Sequence, residues 1–378
     1  MNAHGMFLII ILISHIVSLP IRGRPWKPNF WSFRRPQKAH ALANIPTPIL
    51  LFPGFGASRL MQGEKIVYPP RLHEYVLNFK GWKHTIIENT NLSTLPFGDS
   101  IALDLPIEPL FQTINYYKHL IDIPNVYPIP YDFRIIDKHA YLHSFHNRVR
   151  EYIEQFEVPV VLLCHSTGGL VAHWFLHNQP IEWRKKHIIS VFHINVPFGG
   201  VVTALENCIK KHTRINRYIG RTIFQSFGAT VLNLPNVASL NDSILFVNGN
   251  STDDYLAYLN LDSLNERRSN ASDILESYTH SVDGVETHVV YSTTKSNITL
   301  YRIHCNESKS VSFVPYLKPT TLCEMIDGEF GEGDGLVPLA SLLVPKVWET
   351  QPTFHHIQNY EHSSVLKYVF DILNLQNL

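Results

Sequence analysis

The chain has 378 residues, 45% of them hydrophobic, a size that permits one large α/β domain with insertions or two ordinary domains. Lysine and arginine together number 32, as do aspartate and glutamate, so the formal net charge is zero. Such a balance gives no indication of a nucleic-acid partner or of strong electrostatic binding to a surface. No CxxC motif or cluster of histidine and cysteine indicates a metal site, and no cofactor is expected.

The first residues of the chain have the composition of a targeting segment. Residues 6–21 are almost uninterrupted apolar sequence, too short for a comfortable membrane span and close to the length of a signal-peptide core. Cationic side chains follow this segment and none precedes it. Because cationic flanks tend to stay cytoplasmic, an uncleaved signal anchor is the alternative. We therefore predict a signal peptide or signal anchor over residues 1–21 and a linker over residues 22–47.

Asn-x-Ser/Thr sequons independently favour secretory routing, because they are acceptors for N-glycosylation. They begin at Asn91, Asn241, Asn250, Asn270, Asn297 and Asn306. Of the four cysteines, Cys305 and Cys323 lie close enough in sequence to pair in an oxidising compartment. The sequence thus predicts a glycoprotein that is secreted or resides in a lysosomal or other endomembrane lumen.

Short apolar runs alternate with helical stretches over the rest of the chain, as expected of a sheet with crossover helices. The predicted strands are 48–52, 126–130, 159–164, 187–194, 287–292 and 299–304. The first, third and fourth are continuous β-rich runs, as central parallel strands buried on both faces should be. Helices are predicted over residues 137–156 and 168–177. We therefore expect one α/β domain over residues 48–378, with a mostly parallel central sheet and helices on both faces.

Two stretches interrupt this alternation. Residues 57–122 have no strong strand signal, and residues 201–280 are rich in asparagine, serine and polar helical sequence. Excursions of this kind form lids and caps over the functional sites of α/β domains. We therefore expect both stretches to be excursions from the sheet that form a lid or a cap.

The strongest chemical signal is the sequence VPVVLLCHSTGGLVAHWFL. An apolar strand runs through Cys164 and His165 into Ser166, and an apolar helix begins at Gly168 and Gly169. A nucleophile elbow places its serine on such a strained strand-to-helix turn, flanked by small residues because the backbones crowd there. Cys164 stands where the usual Gly-x-Ser-x-Gly pattern has its first glycine, and His165 is interpreted as a structural residue. Ser166 is thus the expected nucleophile of an α/β-hydrolase fold; the alternative is a serine without chemistry.

A serine nucleophile needs a base, because its hydroxyl is unreactive at neutral pH. In this fold an acidic residue and then a histidine follow the nucleophile along the chain. Asp334 lies in the glycine-rich sequence GEFGEGDGLVP, and His362 stands before a predicted final helix over residues 363–373. Asp334 would orient the imidazole, and His362 would take the proton from Ser166 and deliver it to the leaving group. The alternatives for the two roles are Asp327, His355 and His356.

The oxyanion hole of this fold uses two backbone N–H groups. One belongs to the residue after the nucleophile, here Thr167. The other comes from the loop after an early strand, and the sequence PILLFPGFG predicts Phe55 as that donor, since its glycine neighbours allow a close approach.

Six sequence pieces, in this order, resemble the lecithin:cholesterol acyltransferase family, which includes lysosomal phospholipase A2 and phospholipid:diacylglycerol acyltransferase. They are PILLFPGFGASRL, PIPYDFR, VVLLCHSTGGL, NVPFGG, GDGLVP and EHSSVL. The resemblance runs from about Pro48 to the C-terminus and is weakest in the middle. The Tyr-Asp-x-Arg and Pro-x-Gly-Gly elements are more diagnostic than the elbow, which many hydrolases share.

The resemblance implies a triad of Ser166, Asp334 and His362, with oxyanion donors at Phe55 and Thr167. It also implies that residues 57–122 include a membrane-binding lid and that residues 201–280 form the cap.

The chain departs from the family pattern in two places. Phe133 replaces the tryptophan that is usual in this family, and residues 57–122 contain no cysteine for a disulfide-closed lid. Asp132 and Arg134 are interpreted as braces of the loop near the site. Cys305 and Cys323 correspond in this resemblance to the family's second disulfide.

The expected function is a serine-dependent phospholipid acyl hydrolase or O-acyltransferase that acts at a membrane or lipoprotein surface. The acyl chain would pass from a glycerophospholipid to the serine and then to water or a lipid alcohol. A neutral lipase or esterase of the same fold and an inactive lipid-binding homologue are the alternatives. The sequence does not determine the oligomeric state.

Overall fold

The computed structural model describes residues 47–365 with gaps, and every structural statement below concerns the described residues. The gaps are 71–76, 90, 104, 109–111, 115–116, 211–212, 214, 217–218, 237–254, 260, 297, 309–321 and 363–364. All described residues belong to one compact unit, Pro36–Leu378. The predicted signal segment and final helix lie outside them, apart from Val365. In the described part, none of the helices has both the length and the apolar character needed to cross a membrane.

Six parallel strands form the central sheet, in the spatial order β13–β10–β9–β8–β1–β7. They are β1 Ile49–Phe52, β7 Val126–Pro128, β8 Val160–His165, β9 Ile188–Ile194, β10 Glu286–Thr293 and β13 Thr353–Gln358. Every residue of β1 and β8 is buried, as expected of central parallel strands that are covered on both faces. This arrangement confirms the predicted α/β class and locates the predicted strands 48–52, 159–164 and 187–194 at its centre.

Twelve α-helices accompany the strands in the described part of the chain. They are α1 Phe79–Glu88, α2 Lys118–Ile121, α3 His139–Ile153, α4 Thr167–His177, α5 Ile181–His187, α6 Val202–Ile209, α7 Arg221–Ser226, α8 Gly228–Asn233, α9 Tyr255–Tyr258, α10 Asp262–Asn270, α11 Ser272–Ser277 and α12 Leu339–Leu342. The predicted helices 137–156 and 168–177 correspond to α3 and α4. The six helices α6 to α11 occupy the described part of the predicted cap.

The stretch 57–122 contains more strand than its sequence indicates. β2 Leu60–Gln62, β3 Lys65–Tyr68 and β4 Ser93–Thr94 form a three-stranded antiparallel sheet. β5 Leu105–Glu108 and β6 Gln112–Ile114 form a separate antiparallel pair. Each strand has only two to four residues, too few for a period-two pattern to stand out from the sequence.

The predicted strand 299–304 is longer than expected and lies outside the central sheet. It is β11 Thr299–Ser308, which pairs antiparallel with β12 Leu322–Gly331. A strand pattern does not specify its neighbours, so the sequence could not separate this ribbon from the main sheet. In the ribbon, Cys305 is opposite Met325 and Cys323 is opposite Glu307. The side chains of both cysteines lie outside the described part, and their disulfide stays a prediction.

The carboxyl ends of the parallel strands meet along one edge of the sheet, where ligands bind in open α/β folds. Ser166 follows β8 at this edge, and the loop 53–56 follows β1. Asn195 follows β9, and its side-chain amide donates to the Ser292 hydroxyl and accepts the Ser292 N–H on β10, at 2.8 Å each. The chain after β13 reaches His362. The fold therefore gathers segments that are far apart in sequence.

Candidate active site

Ser166 occupies a strained turn between β8 and helix α4. Its φ and ψ angles are 52° and −132°, and a positive φ is uncommon for a residue that has a side chain. The turn is held from both sides: the Ser166 N–H donates to Ile194 O at 2.9 Å, and the Gly169 N–H donates to Ser166 O at 2.8 Å. Strain persists where the surroundings over-determine a conformation, and such positions are common at functional sites.

The crowding around this turn explains its two glycines. A Cβ atom on Gly168 would collide with the carbonyl oxygens of Phe52 and Pro53, and one on Gly169 would collide with the Val196 side chain. Cys164, where the usual pattern has glycine, lies fully buried in β8. Burial raises the pKa of its thiol well above the ordinary value, so the group stays protonated. Here the tight packing is on the helix side of Ser166, and a cysteine fits on the strand side.

Asp334 and His362, which are 28 residues apart, form a hydrogen-bonded pair. Asp334 is fully buried, and one of its carboxylate oxygens accepts the Leu336 and Val337 N–H groups at 2.9 and 2.7 Å. The other oxygen lies 2.7 Å from His362 Nδ1, and the His362 N–H donates to the Asp334 carbonyl at 2.8 Å. With Nδ1–H donated to the carboxylate, Nε2 of the neutral ring carries the lone pair that a base requires.

This pair lies beside the elbow. The rings of His362 and His165 have their centroids 4.9 Å apart, and His165 immediately precedes Ser166. Burial and, secondarily, the neighbouring His362 lower the pKa of His165 well below its ordinary value, so His165 is neutral. The structure thus pairs Asp334 with His362 and places the His362 ring against the residue that precedes Ser166.

The alternative bases and acid lie elsewhere or outside the described part. His355 and His356 belong to β13, and their partners are on β10: His355 Nε2 lies 3.1 Å from His288 Nδ1, and His356 Nε2 lies 2.8 Å from Thr293 Oγ1. The Asp327 side chain is outside the described residues.

The loop after β1 forms a tight turn against the elbow. The Ala57 N–H donates to Gly54 O at 3.2 Å, and Gly56 has a φ of 69°, which glycine supplies at the third position of a type II turn. A Cβ on Gly54 would lie 3.2 Å from the Ser166 Cβ, so the two backbones nearly touch. Among the described residues, the Phe55 and Thr167 N–H groups take no part in the backbone–backbone hydrogen bonds of the turns and loops. Their role as oxyanion donors stays a prediction.

Thr167 is also tied to the predicted cap. Asn233, at the end of α8, donates from its amide to Thr167 Oγ1 at 2.8 Å, and the same amide donates to Ala229 O at 2.6 Å. Both Thr167 and Asn233 are buried. Sequence reasoning missed Asn233, because an asparagine in an asparagine-rich stretch has no distinguishing pattern.

Asp132 and Arg134 form a buried ion pair with each other. Arg134 donates to both carboxylate oxygens, at 2.9 Å from Nε and 2.6 Å from Nη2. Its Nη1 donates to the carbonyls of Ile86 and Asn89, at the end of α1. The pair thus joins the 57–122 stretch to the segment after β7.

Two buried tyrosines near the elbow were also missed. The Gly54 N–H donates to Tyr117 Oη at 2.7 Å, and that hydroxyl lies 2.8 Å from His165 Nδ1. Tyr131 donates its hydroxyl to Pro53 O at 2.7 Å. Tyr131 stands within the diagnostic Tyr-Asp-x-Arg element, which is a usable signal. Tyr117 lies in the stretch without strong patterns and has none.

A parallel six-stranded sheet with a strained serine between a central strand and its following helix defines an α/β-hydrolase fold. A solved structure of the Tle4-Tli4 complex has the same overall fold, with a TM-score of 0.52 at 13% identity. It covers 88% of this chain and 99% of that chain.

The resemblance to the lecithin:cholesterol acyltransferase family is confirmed by sequence comparison. Residues 122–235 match the model of the family described as Lecithin:cholesterol acyltransferase. A mouse protein named Lysosomal phospholipase A and acyltransferase is 25% identical over 267 residues, which are 65% of this chain and 61% of the mouse protein. The bovine protein of that name is 25% identical over 130 residues, 31% of this chain and 32% of its own length. An Arabidopsis thaliana protein named Lecithin-cholesterol acyltransferase-like 1 is 34% identical over 55 residues, 15% of this chain and 13% of its own length.

The chain therefore spans about a third of the bovine relative's length and less than two thirds of the mouse relative's length.

Proposed function

We propose that this protein is a serine-dependent phospholipid acyl hydrolase or O-acyltransferase. The observation that carries the proposal is the Asp334–His362 pair beside the strained elbow that presents Ser166. The names of the relatives, which combine phospholipase A with acyltransferase, support a glycerophospholipid as the acyl donor.

In the proposed reaction, the Ser166 hydroxyl attacks the ester carbonyl while His362 Nε2 takes its proton. Asp334 stabilises the imidazolium that forms, through the 2.7 Å contact to Nδ1. The Phe55 and Thr167 N–H groups bind the negatively charged oxygen of the tetrahedral intermediate.

Collapse of this intermediate breaks the ester bond, and His362 returns its proton to the departing alcohol. The products of this half-reaction are an acyl-serine and a lysophospholipid. Water or a lipid alcohol, activated by the same histidine, then attacks the acyl-serine and regenerates Ser166.

We further propose the setting in which this site works. The substrate lies in a phospholipid surface, residues 57–122 act as the lid and membrane-binding region, and residues 201–280 act as the cap. The lysosomal designation of the relatives supports a location in the lumen of the secretory pathway or the lysosome. Cleavage of residues 1–21, glycosylation and the Cys305–Cys323 disulfide belong to the same proposal.

The test is turnover and active-site labelling of purified wild-type and Ser166→Ala protein. On vesicles of a phospholipid with a labelled acyl chain, we expect Ser166→Ala to lower the rate by about 10⁴-fold or more while leaving the melting temperature nearly unchanged. A fluorophosphonate probe should label the wild type alone. Ser190→Ala, which alters a buried serine in β9, is the matched control and should retain both phospholipid turnover and labelling by the probe.

Mass spectrometry of the products, with and without a long-chain alcohol, separates the two half-reactions. Fatty acid alone would restrict the proposal to hydrolysis, and an acylated alcohol would extend it to transfer. Turnover that survives in Ser166→Ala protein would contradict the mechanism. Turnover of triacylglycerol or short esters without phospholipid turnover would contradict the substrate.

A further inference from the structure

Two buried phenol groups hold the opposite ends of one peptide unit, the amide that links Pro53 to Gly54. Tyr131 donates its hydroxyl to the carbonyl oxygen of this unit at 2.7 Å. The N–H of the same unit donates to Tyr117 Oη at 2.7 Å. Both tyrosines are fully buried. Because a peptide unit is planar, two bonds of this kind, on its oxygen and on its nitrogen, fix the rotation of the whole plane.

The unit fixed in this way is the one that precedes the proposed oxyanion donor, Phe55. Its glycine packs closely against the elbow, since a Cβ at Gly54 would lie 3.2 Å from Ser166 Cβ and from His165 Nδ1. Its carbonyl oxygen also lies against Gly168, the second residue after the nucleophile. The Phe55 N–H belongs to the next peptide unit, which shares the Gly54 Cα, so a movement of the Pro53–Gly54 plane that displaces this Cα would also displace the Phe55 N–H relative to Ser166.

Tyr117 reaches the elbow as well as the loop. Burial keeps its hydroxyl protonated, because it raises the pKa of the phenol well above the ordinary value. Since the oxygen accepts the Gly54 N–H, the single phenol proton is available to His165 Nδ1, which lies 2.8 Å away. His165 is neutral and can accept it. The loop with the first oxyanion donor is thus bonded, through one hydroxyl, to the residue that precedes the nucleophile.

We propose that Tyr117 and Tyr131 are positioning residues that hold the Pro53–Gly54 peptide plane and thereby aim the Phe55 N–H at the oxygen of the tetrahedral intermediate. This role rests on the proposed function, because it requires an oxyanion at Ser166. Preorganised donors of this kind act only if they are aligned before the reaction begins. Neither tyrosine touches the reacting atoms in this proposal.

Tyr117→Phe and Tyr131→Phe remove one hydroxyl each and keep the buried ring. Removal of a whole oxyanion donor costs about 10²–10³-fold in kcat, so a donor that is merely misdirected should cost less, about 10–10²-fold. KM should change by less than about twofold, since the ground-state ester makes weaker use of the donor. Tyr255→Phe is the matched control: Tyr255 is buried and donates to Pro235 O at 2.9 Å in the cap. Its kcat should stay within about twofold of the wild type.

A second readout separates misdirection of the donor from a general loss of structure. Rates are measured on a soluble 4-nitrophenyl ester and on the thionoester in which sulfur replaces the carbonyl oxygen. Sulfur accepts hydrogen bonds poorly, so the thionoester gains little from an oxyanion hole. The oxygen-to-sulfur rate ratio should fall by about 10-fold in both tyrosine variants and remain unchanged in Tyr255→Phe.

The double variant tests whether both tyrosines act on one peptide plane. Once one bond is lost the plane is free to rotate, so the second substitution should cost less than it does alone. If Tyr117→Phe fails to fold, Tyr131→Phe supplies the same measurement from the other end of the amide.

The outcomes distinguish this proposal from the one on which it rests. A wild-type protein that turns over esters, together with variants whose kcat or oxygen-to-sulfur ratio is unchanged, would overturn the positioning role and leave the proposed function intact. A wild-type protein that turns over no ester and resists the fluorophosphonate would overturn both.

Discussion

Two loops of this molecule each bury a carboxylate, and the partners of the two carboxylates differ. Asp132, after β7, receives two hydrogen bonds from the guanidinium of Arg134, which is itself buried. Asp334, after β12, receives two backbone N–H groups and the imidazole of His362. The described contacts of Asp132 include a permanent positive charge, whereas those of Asp334 include a group that becomes positive only on taking a proton.

Because their partners differ, the two buried aspartates are suited to different roles. The Asp132 charge is already compensated by Arg134, and the pair joins α1 to the segment after β7. The Asp334 carboxylate accepts hydrogen bonds from two neutral backbone groups, so in the proposed mechanism its charge stabilises the imidazolium of His362. A buried carboxylate in this fold is thus a brace or an orienting group according to the partner that the fold supplies.

The largest expected effect is that of Asp334→Asn. The amide oxygen can still accept the Leu336 and Val337 N–H groups, but the amide nitrogen would face His362 Nδ1 and favour the wrong tautomer. We expect kcat to fall by about 10⁴-fold with a loss of only about 1 kcal/mol in unfolding free energy. Steady-state kinetics and urea unfolding measure the two quantities. A kcat within tenfold of the wild type would remove Asp334 from the proposed triad.

Asp132→Asn should have the opposite effect to Asp334→Asn: a large loss of stability and a small loss of kcat. It leaves the Arg134 guanidinium buried without its counter-charge, which costs about 3–5 kcal/mol of unfolding free energy. The kcat of the protein that remains folded should fall by less than about tenfold. Arg150→Gln breaks an exposed ion pair with Glu154 and should cost less than about 1 kcal/mol. If Asp132→Asn instead abolished turnover without destabilising the protein, the comparison between the two loops would fail.

Two buried histidines, His173 and His146, have no carboxylate partner among the residues that the structure describes, and their burial disfavours the protonated form. His173 is fully buried, and its Nε2 lies 3.0 Å from Ser277 O. Burial is the main cause that lowers its pKa to about 4, and burial likewise lowers the pKa of His146 to about 3. Below pH 6.5 the unfolded chain therefore binds more protons than the folded chain. The stability present above pH 6.5 is then lost as the pH falls towards 4.

For His173 the loss is on the order of 3 kcal/mol between pH 6.5 and pH 4. Urea unfolding at a series of pH values measures it. His173→Gln should make the unfolding free energy depend less on pH, because it removes one buried imidazole. A stability that is flat across this range would show that the buried rings are protonated in the folded protein.

The smallest expected effect is that of Thr167→Val. The substitution keeps the backbone N–H that we propose as an oxyanion donor and removes the hydroxyl that accepts from Asn233. We expect kcat to fall by less than about tenfold. Thr230→Val, which removes a buried hydroxyl bonded to Phe224 O, is the matched control. If kcat fell by 100-fold or more in Thr167→Val and not in Thr230→Val, the Thr167 side chain rather than its backbone N–H would be the group that contributes to catalysis.

The local features of the fold could be predicted from the sequence because each depends on a few consecutive residues. Continuous apolar strands, the small residues around Ser166 and the helix that follows all lie within one segment, and the α/β class was predicted from such segments. The short strands of residues 57–122 and the separate β11–β12 ribbon were not, because two to four residues carry no clear period and a strand does not specify its partner.

The serine elbow is therefore what the sequence determined by itself, since a buried strand, a turn of small residues and a helix are encoded in a row. Chain order and family resemblance selected Asp334 and His362, but the 2.7 Å contact between them comes from the folding of two separate loops. Only the tertiary structure brought Tyr117 and Tyr131 to the two ends of the Pro53–Gly54 peptide. These tyrosines are more than 60 residues from that peptide, and no local pattern records which backbone groups a buried hydroxyl will satisfy.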